Sequence, residues 1–229
     1  MTRFLRFACV GVAVMGLASL ANAQVCAGAP SFSVGGTRIG GQALFNSQSS
    51  SYGGNLTLGQ VNGLFLNGAF SHAKDKNSEG TSNAFNGGIG YEMNVGSSNS
   101  MQLCPMFSVT GQEGSLVGTV PVALPQNTLD LNFGATLGWV ASSSSSMEVI
   151  PAVGAAIVAR SYKAKIVTLG QPNPSTSNTF GLITGTIGFV FNKRCTISPV
   201  IQIPTSQTYG KPSYGVNLSY AFNLSGLHM

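Results

Sequence analysis

Residues 129–139 read Leu-Asp-Leu-Asn-Phe-Gly-Ala-Thr-Leu-Gly-Trp. The odd positions, from Leu129 through Phe133 to Trp139, are apolar, while Asp130, Asn132, Gly134, Thr136 and Gly138 between them are polar or small. Successive side chains of a strand point to opposite faces, whereas a helix repeats about every 3.6 residues. Strict alternation over this stretch therefore predicts a strand with one apolar and one polar face. The same pattern returns at 215–224, where Val216, Leu218, Tyr220, Phe222 and Leu224 oppose Gly215, Asn217, Ser219, Ala221 and Asn223, and again at 85–93.

Alternation alone fits a soluble sandwich as well as a membrane barrel. The chemistry of the polar face separates them. A face turned to bulk water carries Lys, Glu and Arg, but here it is built from Gly, Asn, Ser, Thr and Ala, groups that suit a cramped interior. The whole chain agrees: of 229 residues only 11 are Lys or Arg and 6 are Asp or Glu, 7% charged in all, against about 25% in ordinary soluble domains. With 43% hydrophobic residues and 30 glycines, the chain suits a protein whose outside is lipid and whose inside is polar.

The N-terminus predicts export. Arg3 and Arg6 precede an apolar run over 7–20, and Ala21-Asn22-Ala23 is a small-residue cleavage site ahead of Gln24. The run is too short to span a bilayer, which takes about 20 apolar residues. Neither Cys9 nor Cys26 has the spacing that lipid attachment needs. The expectation is a signal peptide over residues 1–23 and one domain over residues 24–229. Beyond the signal no apolar stretch reaches helix-spanning length, so any crossing must be made by strands.

A weak repeat organises these strands into hairpins. Tyr91, Trp139 and Phe189 close segments that are each followed by a short polar turn and then a strand with an early proline, Pro105, Pro151 and Pro199. Proline is tolerated there because a missing ladder donor costs least near a strand's start. Short turns are expected at 95–100, 142–146 and 192–194, and longer loops at 74–82, 113–128, 165–178 and 205–213. Short turns at one end and long loops at the other form the pattern of bacterial outer-membrane barrels. Strands are expected at 32–40, 52–59, 64–73, 83–93, 101–112, 129–140, 147–162, 180–191, 196–203 and 214–224. That makes an all-β, antiparallel up-and-down transmembrane barrel of about ten strands, with eight as the alternative. In the first of these, Gly35-Gly36 interrupts the alternation and puts Arg38 on the wrong face unless a bulge intervenes.

The signal segment, the alternating strands, the aromatic hairpin ends and the closing Tyr220-Ala221-Phe222 together resemble the small porin-like outer-membrane β-barrel superfamily. The resemblance spans the chain after the signal. It implies residence in a bacterial outer membrane and contact with outer-membrane lipid. It also implies delivery by the barrel-insertion machinery, which reads the aromatic end of the last strand. In this chain residues 223–229 follow Phe222.

Candidate chemistry is sparse. Parity puts Glu92, Glu148 and Arg160 on the lumen face, where charges are expected to pair with one another or with the wall. Cys104 shares the lumen parity of Gln102 and Ser108, Cys195 the lipid parity of Ile197 and Ile201, and Cys26 precedes the first strand. In an oxidising compartment this predicts a Cys26–Cys104 disulfide across the barrel floor, with Cys195 free. His72 beside Ser71, with Glu79 following, is the nearest approach to a hydrolytic group, but neighbours in a strand point to opposite faces. No catalytic residue, metal site or cofactor is therefore expected, and no phosphate-binding loop motif occurs. After cleavage nine basic and six acidic residues remain, scattered rather than striped, so nucleic acid is not an expected partner. The functional expectation is a barrel with a mostly filled lumen and long outer loops in a structural or interaction role, with a possible extracellular partner on those loops. The alternative is a transporter or narrow channel for a small solute or apolar molecule.

Overall fold

The computed structural model describes residues 36–59, 63–76, 80–96, 101–117, 124–164, 175–206 and 211–222. The expected signal segment, Cys26 and Glu79 lie outside these residues. Ten long strands run in chain order: β1 (Thr37–Phe45), β2 (Ser49–Gly59), β3 (Leu64–Asp75), β4 (Thr81–Tyr91), β6 (Met101–Val117), β7 (Leu124–Trp139), β9 (Met147–Ala164), β10 (Ser175–Phe191), β11 (Cys195–Pro204) and β12 (Ser213–Phe222). Two short pieces, β5 (Met93–Asn94) and β8 (Ser142–Ser143), extend the hairpins at the short-turn end by pairing with β6 and β9.

Each long strand pairs antiparallel with its sequence neighbour, and β1 pairs with β12 from Thr37↔Phe222 to Phe45↔Tyr214. The sheet is thus a closed ring of ten, without the free edge that invites pairing with other chains. The register fixes its dimensions. Followed around the ring, Val190 pairs with Thr196, then Ser219, Gly40, Asn55, Ala69, Asn86, Thr110, Asp130, Arg160 and finally Asn178. One circuit climbs from 178 to 190 on the same strand, a shear of twelve residues. With ten strands about 4.8 Å apart and about 3.3 Å per residue, that shear gives a tilt of about 40° and a backbone radius of about 10 Å.

The outward face is the apolar one. Phe133 is 65% exposed, Ile157 60% and Phe85 62%, and Leu129, Leu131, Ile183, Ile201 and Leu218 join them. From Leu129 to Trp139 the ten steps span about 33 Å along the strand and about 25 Å in height at that tilt, the height of the apolar band of membrane barrels. Aromatic rings flank it. Phe45 lies 5.8 Å from Tyr52 and 6.2 Å from Tyr214 at one rim, and Tyr220 and Phe222 stack at the other. Apolar outside, polar inside and closed by antiparallel strands, this is the porin-like outer-membrane barrel architecture that the sequence led us to expect, with ten strands rather than eight.

Most strand bounds shift by a few residues from those expected, and two of the differences are the largest. The first strand is not 32–40 but Thr37–Phe45, with residues 32–35 outside the described ones. Starting after Gly36, it places Arg38, Gly40 and Gln42 inward without any bulge. The strands around the two longest hairpins also run further than expected, since β6 and β7 reach Val117 and Leu124, and β9 and β10 reach Ala164 and Ser175. Part of what reads as loop is therefore sheet. A bulge does occur on β6, where the register to β7 shifts between Gln112 and Ser115. Gly114 there has φ of 93°, a conformation an L side chain adopts only with strain. The tight β10–β11 turn has Asn192 and Lys193 at φ of 48° and 57°, the two positive values of a hairpin turn whose twist matches its strands.

Candidate functional site

The lumen is divided into three levels. At the short-turn end the side chains of Arg38, Phe65, Glu92, Gln102, Cys104, Ile150 and Val190 are each less than 2% exposed. They form a floor. Phe65 fits because Gly90 stands opposite it on β4: a Cβ at Gly90 would collide with the Phe65 ring. Val140, Ile150, Ala152 and Val190 make a second apolar cluster of that floor.

The polar groups of the floor are less completely matched. Arg38 and Glu92 interact electrostatically across it, while neither Glu92 carboxylate oxygen has a hydrogen-bond partner among the described residues. Glu148 is buried at the same end, its Oε2 also without a partner among them. Gln102 donates from Nε2 to Asn94 Oδ1 at 3.0 Å.

Above the floor lies a chamber of about 390 Å³, lined by inward residues of all ten long strands. Seven amide side chains and six hydroxyls line it, and none of its lining residues is charged. On β3, β4 and β6 the polar groups are tied edge to edge: Asn67 Nδ2 donates to Asn86 Oδ1 at 3.2 Å, and Asn86 Nδ2 to Thr110 Oγ1 at 2.8 Å. Gln42, Asn55 and Asn217, on β1, β2 and β12, stand outside this network, with Gln42 and Asn217 directly opposite one another. Leu44, Met106, Leu182 and Val200 supply apolar surface.

The third level begins beside Thr110, whose register partner on β7 is Asp130 and whose next neighbour around the ring is Arg160. Arg160 on β9 donates from Nε to Asp130 Oδ1 at 2.7 Å and from Nη2 to Oδ2 at 2.6 Å. Its guanidinium also lies 5.2 Å from the Phe180 ring centre and 5.9 Å from that of Tyr162. This fork-to-fork geometry is among the stronger hydrogen-bonded pairings.

Glu92, Glu148 and Arg160 all face inward as their parity requires, but they do not meet. Arg160 pairs with Asp130, while Glu92 and Glu148 lie at the opposite end of the barrel. Asp130 belongs to the alternating stretch at 129–139 and has inward parity there, yet its partner lies thirty residues on, and only the β7–β9 register brings the two together. Arg38 also faces inward, because β1 starts at Thr37. Ser71 lines the chamber, whereas His72 points outward and shares a 2.9 Å hydrogen bond from Nδ1 with Asn83 Oδ1, so the two do not form a catalytic pair. Cys104 is buried and engages a partner, and Cys195 is exposed and free.

No protein-family model and no curated protein matches this chain. Among solved structures the chain is similar to a bacterial polysaccharide outer membrane secretin at a TM-score of 0.45 and 9% identity, covering 82% of this chain and 66% of that one. It is similar to the KdgM porin at 0.38 and 10%, over 81% and 99% of the two chains. It is similar to Ail, the attachment invasion locus protein of Yersinia pestis, at 0.36 and 12%, over 82% and 99%. The chain thus spans about two thirds of the secretin's length and nearly all of the other two.

Proposed function

We propose that the chain is exported by cleavage after Ala23 and inserted into a bacterial outer membrane by the barrel-insertion machinery. There it acts as a structural or interaction barrel rather than as an open pore or an enzyme. The observation that carries this reading is the floor, where Phe65 clusters with Cys104 and Ile150 with Val190, and these four together with Arg38, Glu92 and Gln102 are each less than 2% exposed. A barrel of about 10 Å backbone radius leaves little room once side chains project inward, and at this level they fill it. A disulfide from Cys26 to Cys104 would tie the N-terminal segment to the same floor. The strands that run past the apolar band at the other end, β6, β7, β9 and β10, offer a raised rim for an extracellular partner.

The test is conductance in a planar bilayer. The reading expects no discrete current steps from the wild-type chain and measurable steps when Phe65 and Ile150 are both replaced by Gly. Ohmic steps from the wild type would overturn it in favour of a narrow channel. That second reading draws on one observation, the chamber of about 390 Å³ above the floor.

A further inference from the structure

From the uncharged lining of the mid-barrel chamber, we propose that it is a binding site for an uncharged, polyhydroxylated solute of about monosaccharide size. Its volume of about 390 Å³ falls within the range of small-molecule sites, roughly 300 to 1,000 Å³. The charge distribution sets the ligand class. Every charged lumen group named above lies outside the chamber lining, with Arg38, Glu92 and Glu148 below and Asp130 with Arg160 above. An ionic ligand entering this level would surrender its hydration without meeting a counter-charge, a large penalty.

A ligand with several hydroxyls meets the opposite situation. The wall offers seven amides and six hydroxyls, groups that both donate and accept. Asn67, Asn86 and Thr110 tie the wall of β3, β4 and β6 together, while Gln42 and Asn217 face the chamber side by side. Leu44, Met106, Leu182 and Val200 supply the apolar surface that the C–H face of a pyranose or polyol covers. Amide groups beside an aliphatic patch, without charge, suit a neutral carbohydrate better than an ion or a lipid chain. With the floor closed, such a solute enters from the end where Arg160 is held against Asp130 and Phe180. The inference rests on the chamber and not on the floor, so conductance by the wild type would retire the closed-floor reading and leave this one standing.

The experiment uses the full exported chain, refolded in detergent and titrated by calorimetry and ligand-observed NMR with glycerol, glucose and sucrose, and with glucosamine and glucuronate as charged counterparts of glucose. We expect saturable glucose binding, at least tenfold weaker for glucosamine and glucuronate. Thr184→Phe, which fills the chamber from β10, should abolish it. Asn217→Leu should weaken it about tenfold, and the outward Ile183→Phe should leave it unchanged. Folding of each variant is read from the heat-dependent shift in gel mobility, and if Thr184→Phe does not fold, Asn217→Leu carries the test. A chamber that holds only water would show no saturable binding of glycerol, glucose or sucrose, and that result overturns the proposal. So does equal binding of the charged sugars, or undiminished binding by folded Thr184→Phe or Asn217→Leu.

Discussion

Asp130 and Arg160 occupy directly opposed positions on β7 and β9 and are joined by two parallel hydrogen bonds on the lumen side of the wall. Both side chains are largely sheltered, and the guanidinium is further held over Phe180. Breaking one half of such a pair strands the other charge, whereas removing both halves removes the penalty too. Asp130→Asn and Arg160→Met are each expected to destabilise the barrel by about 1–3 kcal/mol. The double variant should lie closer to wild type than the sum of the two. Denaturant unfolding of all four proteins in the same detergent measures this coupling, and strict additivity would mean that the pair contributes nothing.

Phe133 stands on the opposite face of the same strand, 65% exposed at mid-height of the apolar band. Phe133→Arg is expected to cost about 2–4 kcal/mol in a bilayer, with Phe133→Leu close to neutral. Folding yield into lipid vesicles is the measurement. Unimpaired insertion of the arginine variant would mean that this face does not meet hydrocarbon.

Gly90 leaves the space that the Phe65 ring fills. Gly90→Ala should displace that ring and cost about 1–3 kcal/mol, the usual range for overpacking. Adding Phe65→Leu should recover part of the loss. Unfolding midpoints of the single and double variants decide it, and an unperturbed Gly90→Ala protein would show that the floor is looser than its burial indicates.

The export and disulfide proposals share one experiment. Mass spectrometry of the exported chain should find Gln24 at its N-terminus, and non-reducing peptide mapping should find Cys26 joined to Cys104 with an alkylatable Cys195. A Cys104–Cys195 linkage would contradict the opposite faces that the strands give these two residues.

Much of the barrel is readable from parity alone. Wherever one side of a strand meets lipid and the other meets the lumen, as at 129–139, alternation is enforced by two different solvents and survives in the sequence. Two regions lose that signal, for different reasons. In β1 the adjacent Gly40 and Gly41 contribute no side chain to either face, so the strand is defined by its two neighbours, β12 and β2, rather than by its own pattern. At Ser175 to Asn178 the sheet has risen above the apolar band, both faces are polar, and the segment reads as loop although it pairs with β9. The Asp130–Arg160 contact is invisible for a third reason. Parity assigns a side chain to a face but not to a partner, and partnership depends on a register set by the whole ring.

The twelve-residue shear carries an arithmetic constraint on how this chain can vary. Twelve is even, so a walk around the ring returns to the starting strand with inside still inside. A single residue inserted within the membrane band of any one strand would make that count odd at one seam and turn every side chain beyond it to the wrong solvent. The chain must then expel the extra residue locally, as it does beside Gly114 near the rim. Length changes are tolerable at the rims or as whole hairpins, and within the band the ten strands are locked to one another's count.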